Sequence, residues 1–431
     1  RRAGVQGRLL FGAGNLYYAF LKRAEPVPEC TNAISGQVSP APKFDLYLAT
    51  GAPDGALTNE IINLVGAVDD PGFVSDAFGI GAAVNGSGQP VLSVAAGGEG
   101  LFTCGSSDLV VIERTGANAF DIDAPSTDSA DFSTLCTDLA TANAGEVECC
   151  VDPACGSGTN VGPWSDVAIS GGNTAVVFTD YHNFADQDGQ THQGVELWEN
   201  NGGVSGVRPW SGLGQYASAE FAQDGSLIVA YTGYVGDGLF IVRRAGGTEF
   251  QGVNGTANGL FFNGYVIGER ISVAVAPNGT VGVAFYAVED PTGTGEDDLW
   301  LCESSDNGET FNSLTGCTIV EDPFLRVGAF PSLAYDSQSR PGISYNYCGP
   351  DSACSRDGLR YAWRDSSDNS GSWWYWNVHN VDNNRSGQYT SLVIDPGTDR
   401  PYIAFHDQTR GAAMLATGTF DGGDQGPCTV E

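Results

Sequence analysis

Lysine is nearly missing from this sequence. Lys22 and Lys43 are the only two in 431 residues, and 19 basic residues face 52 acidic ones, for a formal net charge of −33. Nucleic-acid binding relies on basic side chains displacing condensed counterions, so a nucleic-acid partner is excluded for the bulk of this surface. An anionic membrane surface is disfavoured on the same ground. No apolar run is long enough for a transmembrane segment. There is no Gly-x-Ser-x-Gly elbow, phosphate loop, His-Glu-x-x-His, haem-attachment Cys-x-x-Cys-His or paired Cys-x-x-Cys, so the chemistries those patterns serve have no support. The chain opens at Arg1 without a methionine, which reads as a mature or trimmed product.

What is present fits an all-β chain. Sixty glycines and 20 prolines supply turns, and 41% hydrophobic residues are enough for a large core. Eleven cysteines indicate an oxidising, extracellular compartment.

Internal repetition decides the architecture. The clearest copies are Ser332-Leu-Ala-Tyr-Asp-Ser-Gln-Ser-Arg-Pro-Gly-Ile-Ser-Tyr-Asn-Tyr347 and Ser391-Leu-Val-Ile-Asp-Pro-Gly-Thr-Asp-Arg-Pro-Tyr-Ile-Ala-Phe-His-Asp407. The same strand–turn–strand phrase recurs around Pro277-Asn-Gly-Thr280, Gln223-Asp-Gly-Ser226 and Ser170-Gly-Gly-Asn173, and in weaker form around Asn85-Gly-Ser-Gly88 and Gly12-Ala-Gly-Asn15. Asn-Gly and Asp-Gly between apolar runs are hairpin signals. A third strand follows each hairpin, as at Asp237-Gly-Leu-Phe240, Asp297-Asp-Leu-Trp300 and Asp357-Gly-Leu-Arg-Tyr361, and then a more variable fourth. Seven units of four strands predict one seven-bladed β-propeller of four-stranded antiparallel blades. The blades fall near residues 4–68, 78–163, 164–212, 215–258, 266–323, 326–383 and 386–431, with a Cys-rich loop insertion in blade two at 121–163.

With this phasing the chain begins on an innermost strand and ends on an outermost one, so no exchanged strand locks the ring. A Cys30–Cys428 disulfide between the first and last blades is the expected clasp. Cys302 with Cys317, and Cys348 with Cys354, read as local staples. Cys104, Cys136, Cys149, Cys150 and Cys155 in blade two and its insertion are an odd set, read as disulfide-bonded with one thiol over or, alternatively, as a metal–thiolate cluster.

Between the third and fourth strands of the fifth unit stands Ser304-Ser-Asp306-Asn-Gly308-Glu-Thr310-Phe311, and a degenerate echo, Ser367-Asp-Asn-Ser-Gly-Ser-Trp373, occupies the same place in the sixth. This resembles the Asp-box, Ser-x-Asp-x-Gly-x-Thr-Trp/Phe, of sialidases and related bacterial neuraminidase-repeat propellers. The resemblance covers most of the chain as architecture. Asp306 as an acceptor of local N–H groups, Gly308 relieving the turn and Phe311 packing between sheets give the box a structural role.

Loops leading into innermost strands and loops leaving second strands gather on one face of a propeller. Arg208, Arg270, Arg326 and Arg385 precede successive innermost strands. They are either a set that clamps a carboxylate, as the arginine triad of sialidases does, or surface arginines balancing an acidic protein. The family's N-terminal Arg-Ile-Pro is missing, since Arg8 sits in Gly-Arg-Leu, and no Tyr/Glu nucleophile pair is matched by motif. The facing loops offer Asp180, Tyr181 and His182, then Glu289 and Asp290, then His406 and Asp407, and an enzyme would draw on Arg270, Arg326, Arg385, Asp180, Glu289 and Asp407 as a glycoside hydrolase. A binding module would use Arg208, Tyr181, His182, Tyr234 and His406, with Trp210 and Tyr389 as further aromatics. Asp186 and Asp188, bracketed by His182 and His192, form the one candidate Ca²⁺ loop; no other cofactor is implied. The favoured function is a secreted or cell-surface, non-catalytic module that binds a glycan or a surface protein, or that assembles with other surface proteins or with itself. The alternative is a glycosidase of sialidase-like architecture.

Overall fold

The computed structural model describes residues 3–23, 29–31, 38–40, 44–62, 79–96, 108–123, 161–185, 191–200, 203–206, 214–233, 237–246, 250–255, 260–288, 297–311, 317–321, 327–348, 357–379, 386–418 and 429–430, and at several strand ends the backbone alone. The innermost strands are Ala3–Gly12, Gly81–Val84, Val161–Ser170, Gly214–Phe221, the second half of Leu260–Val275, Val327–Tyr335 and Ser386–Ile394. Each turns through a tight hairpin into a second strand, respectively Asn15–Arg23, Pro90–Ala96, Asn173–Ala185, Leu227–Gly233, Val281–Val288, Pro341–Cys348 and Pro401–Asp407. A third and a fourth strand follow outward, so the chain makes seven four-stranded antiparallel blades in sequence order. Among the described residues no helix is long and apolar enough to cross a membrane.

Burial explains the sequence pattern. Second strands are covered on both faces by neighbouring blades, so Leu227–Gly233 and Pro401–Asp407 are buried at every position and are apolar along most of their length, with Thr232, His406 and Asp407 as the buried polar exceptions. Every seam between blades carries apolar packing. Leu10, Leu92 and Val176 belong to one cluster running through blades one to three, and Leu9, Tyr18, Tyr402 and Ala404 close blade seven onto blade one.

An innermost strand has a partner on one side only, which leaves alternate N–H groups facing the axis. In five blades a side chain of the preceding blade satisfies one of them. Ala219 N–H donates to Asp166 Oδ2 (3.2 Å), Val273 N–H to Ser218 Oγ (3.1 Å), Leu333 N–H to Ser272 Oγ (3.0 Å), Leu392 N–H to Ser332 Oγ (2.9 Å) and Leu9 N–H to Ser391 Oγ (2.9 Å). Blade two has Gly81 at this register. Arg8 reaches across the gap instead, donating from Nε to Ile80 O (2.8 Å) and pairing through Nη2 with Asp166 Oδ1 (3.2 Å).

Closure of the ring therefore uses the same link as the four seams from blade three to blade seven, joined by an Arg400–Asp54 ion pair at 2.5 Å. The side chain of Cys30 and all of Cys428 lie outside the described residues, as do the Cys348 side chain, Cys354 and most of the Cys-rich insertion. Cys302 and Cys317 are disulfide-bonded across the third and fourth strands of blade five. One seam differs from the sequence reading: residues expected as a linker between blades four and five form the first half of Leu260–Val275, which pairs with the third strand of blade four before running inward.

The turn Ser304–Phe311 lies on the outer rim of the hairpin face. Thr310 N–H donates to Asp306 Oδ1 (2.9 Å), Gly308 N–H to Ser304 Oγ (3.0 Å), and Phe311 N–H to Asn254 Oδ1 of blade four (2.7 Å). Burial opposes ionisation of Asp306, but the hydrogen bonds from Ser304 and Thr310 outweigh it and hold its carboxyl below the ordinary range.

Candidate functional site

Five innermost strands begin with the same spelling: Gly162-Pro-Trp164-Ser-Asp166, Gly214-Gln-Tyr216-Ala-Ser218, Gly268-Glu-Arg270-Ile-Ser272, Gly328-Ala-Phe330-Pro-Ser332 and Gly387-Gln-Tyr389-Thr-Ser391. The last residue of each supplies the axial link just described. The middle residue sits where the pairing register slips against the second strand, between 161 and 165, 215 and 218, 267 and 271, 329 and 332, and 388 and 391. In four of the five it has a left-handed backbone: Tyr216 (φ 54°), Arg270 (76°), Phe330 (55°) and Tyr389 (52°). Non-glycine residues adopt this region at a cost, and a bulge uses it to re-aim a side chain. The glycine is required by close approach: a β-carbon on Gly387 would lie 2.5 Å from the Gly358 carbonyl oxygen.

The bulges place four aromatic side chains and one arginine at the mouth of the axis, opposite the hairpin face. Trp164 and Tyr216 meet edge-on with centroids 5.0 Å apart, and Phe330 and Tyr389 are 4.6 Å apart. Arg270 leaves blade five and ends between Trp164 of blade three and Tyr389 of blade seven, its guanidinium carbon 5.4 and 5.7 Å from the two ring centroids. Its Nη1 donates to Thr390 O (3.0 Å), and Thr390 is held in turn by Ser344 Oγ (2.9 Å) and by its own bond to Phe330 O (2.8 Å). Arg270 is 4% exposed, and its Nε and Nη2 have no hydrogen-bond partner among the described residues. Desolvation, reinforced by the charge of Arg8, pulls its pKa down to about 9. Burial also raises the pKa of Tyr18, on the second strand of blade one, and the charge of Arg270 partly offsets the rise.

Two expectations are corrected. Arg270 was placed in a loop before an innermost strand; it is within the strand, on the bulge. The reading of it as a surface counter-charge fails because the mouth buries it between two aromatic rings. Charge balance falls to other arginines, which are stitched between blades: Arg114 to Glu60 (2.8 Å), Arg244 to Glu199 (2.6 Å), Arg364 to Glu303 (2.6 Å), and Arg360 to Glu321. The Tyr–Glu contacts Tyr335–Glu303 and Tyr345–Glu321 belong to this seam between blades five and six.

His406 and Asp407 end the second strand of blade seven. His406 is buried, its ring centroid 6.5 Å from that of Tyr389. Asp407 is fully buried; Oδ1 accepts Arg410 N–H (3.0 Å) and Oδ2 lies 3.7 Å from His379 Nε2 and 3.6 Å from Arg410 Nε. Desolvation lowers the pKa of His379, with the Asp407 charge opposing and Arg410 reinforcing. Arg208, Tyr234, Asp186, Asp188, Glu289, Arg326 and Arg385 lie outside the described residues, as do the side chains of Asp180, Tyr181 and His182. Register separates Arg270 from the other three arginines: it stands two residues before the linking serine, whereas Arg326 and Arg385 stand six before theirs and Arg208 ten.

Two residues beyond Ser218 along its strand is Glu220, whose pKa is raised to about 8 by desolvation and then by the Asp166 carboxylate. Trp164, Tyr216, Phe330 and Glu220 were not singled out from sequence, and the signal for the aromatics was the repeated Gly-x-aromatic-x-Ser.

No family model and no curated protein matches this chain. Among solved structures, a protein of unknown function from Dyadobacter fermentans is similar over 100% of this chain and 93% of its own, at 12% identity and a TM-score of 0.46. A Hadza microbial sialidase matches 80% of this chain and 63% of its own at 14% identity and TM-score 0.45, and a point mutant of the NanB sialidase from Streptococcus pneumoniae matches 96% and 66% at 11% identity and TM-score 0.45. This chain spans less than two thirds of the length of those two sialidases. These likenesses assign no activity.

Proposed function

We propose that this chain is a secreted or cell-surface binding module without catalytic activity, whose axial mouth takes a carboxylate-bearing ligand, either an acidic glycan or an acidic group on a surface protein. One observation carries the reading: Arg270 is buried with Nε and Nη2 unbonded among the described residues. A buried guanidinium so placed is costly unless an anion joins it, and Nε with Nη2 is the side of the fork that receives a carboxylate through two parallel hydrogen bonds. Trp164 and Tyr389 add flat walls that favour a ring-shaped or planar ligand. In this reading the Asp-box-like turns fasten blades and take no part in binding. A Ca²⁺ loop at Asp186 and Asp188 is a separate proposal, checked by whether calcium raises the melting temperature and EGTA reverses it.

The glycosidase alternative draws on Glu220, whose carboxyl pKa is pushed up to about 8 by burial and by the Asp166 charge, into the range a general acid needs near neutrality. A glycan array with acidic and neutral glycans, run beside fluorogenic sialosides and other glycosides, separates the two. Retention of carboxylate-bearing glycans, weakened roughly tenfold or more in Arg270→Met and without turnover, supports the binding module. Turnover abolished by Glu220→Gln replaces it with a hydrolase.

A further inference from the structure

The outermost strand of a blade is hydrogen-bonded on one side only, and proteins guard such edges by keeping them short or charged. Five blades follow that rule. Their outer strands are Thr58–Ile62, Ala119–Asp123 and Cys317–Glu321 at five residues, Gly203–Gly206 at four and Thr429–Val430 at two. In blade four the outer position is shared by Gln251–Gly252 and a strand that runs on into blade five. Blade six breaks the rule: Trp373–His379 is seven residues long, reads Trp-Trp-Tyr-Trp-Asn-Val-His, and has no strand on its outer side among the described residues. Trp374 is 53% exposed and Tyr375 40%.

We propose that this edge pairs with the same edge of a second copy of the chain, antiparallel about a two-fold axis. The exposed backbone calls for a strand, and the charge pattern says whose. Two copies at a net charge of −33 repel, so they can approach only where the surface is locally neutral. Trp373–His379 contains no acidic residue, lysine or arginine, and the arginines of the strand beneath it are neutralised by blade five, Arg360 by Glu321 and Arg364 by Glu303. The nearest turn does carry acids, Asp365 and Asp368, but an antiparallel pairing sets the two turns at opposite ends of the contact. A basic partner would be drawn to the acidic surface at large and gain nothing from an uncharged edge. A neutral sugar would use the rings but not the N–H row.

In the register centred on Tyr375, Trp374 of each copy stands opposite Trp376 of the other on one face, a favourable cross-strand aromatic pair. The indole of Trp374 is already oriented, its Nε1–H donating to Asp365 Oδ2 (3.3 Å), and the Tyr375 hydroxyl is tied to Val320 O (2.5 Å). The edge is thus held in place before any partner arrives. This contact is independent of the Arg270 mouth.

Sedimentation equilibrium of the whole chain tests it. A dimer is expected that strengthens as NaCl rises from ~0.05 to ~0.5 M and the repulsion is screened. Trp374→Lys and Tyr375→Lys are each expected to weaken association roughly tenfold or more, because an edge lysine opposes strand pairing. Ile61→Lys, on the outer strand of blade one, is expected to leave it unchanged. If the lysine variants fail to fold, hydrogen exchange on the unaltered chain decides: amides 373–377 become more protected with rising protein concentration. A monomer at every salt concentration, a dimer indifferent to both lysines, or a monomeric chain that binds a neutral glycan through Trp374 overturns the proposal.

Discussion

Two buried arginines in this propeller have opposite circumstances. Arg364, between blades five and six, uses its whole fork: Nε donates to Ser366 O (2.9 Å), Nη1 to Glu303 Oε2 (2.6 Å) and Asn369 Oδ1 (2.8 Å), and Nη2 to Glu303 Oε1 (3.1 Å). Arg270, at the axial mouth, has one hydrogen bond among the described residues, to Thr390 O. The fold solves the cost of a buried cation completely in one place and leaves it open in the other. The same contrast runs along each inner strand. Over blades three to seven the linking position reads Asp166, Ser218, Ser272, Ser332 and Ser391, a side-chain oxygen each time, because each accepts an N–H of the next blade; two residues earlier the bulge varies through Trp164, Tyr216, Arg270, Phe330 and Tyr389. A position that repeats serves the ring, and a position that varies on a costly backbone serves something the ring does not need.

The contrast can be broken experimentally. The largest effect belongs to Arg364→Met, which leaves the Glu303 carboxylate buried without its partner; a loss of about 3–5 kcal/mol in urea unfolding is expected. A loss under 1 kcal/mol would mean that the seam tolerates the charge and that satisfied and unsatisfied arginines are not different in kind. Ser272→Ala strips the acceptor from the buried Leu333 N–H and should cost about 1–3 kcal/mol, with similar values for Ser218 and Ser332 if the girdle is uniform. Glu220 gives a pH signature. Its pKa in the folded state, about 8, is above the ordinary 4.5, so the native protein binds the extra proton between those values and stability falls as pH rises through that window. Glu220→Gln should flatten that slope in denaturation curves taken at pH 5, 6, 7 and 8; an unchanged slope would clear Glu220 of any role.

The blades were legible because hairpins are local. Pro277-Asn-Gly-Thr280 and Gln223-Asp-Gly-Ser226 set their turns within four residues, and the second strands advertise two-sided burial by runs that are mostly apolar. Cys302 and Cys317 were readable for the same reason, as they close one short loop. The site was less legible. A bulge inserts residues into the two-residue period, so the periodicity starts the strand at the linking serine and leaves Arg270 in a loop. Sequence placed Arg208, Arg270, Arg326 and Arg385 in one set because all precede an inner strand, yet only Arg270 has the bulge register. Its burial depends on Trp164 and Tyr389, more than a hundred residues away on either side, and no local pattern reports that.

The smallest stability change tests the central claim most directly. Unfolding of Arg270→Met by urea, measured beside the unaltered chain at neutral pH, should show a stability within about 1 kcal/mol of it or higher, since a half-bonded buried cation gives the fold little. A loss as large as that of Arg364→Met would show that Arg270 is built into the fold as a structural fastener and is not held open for a ligand.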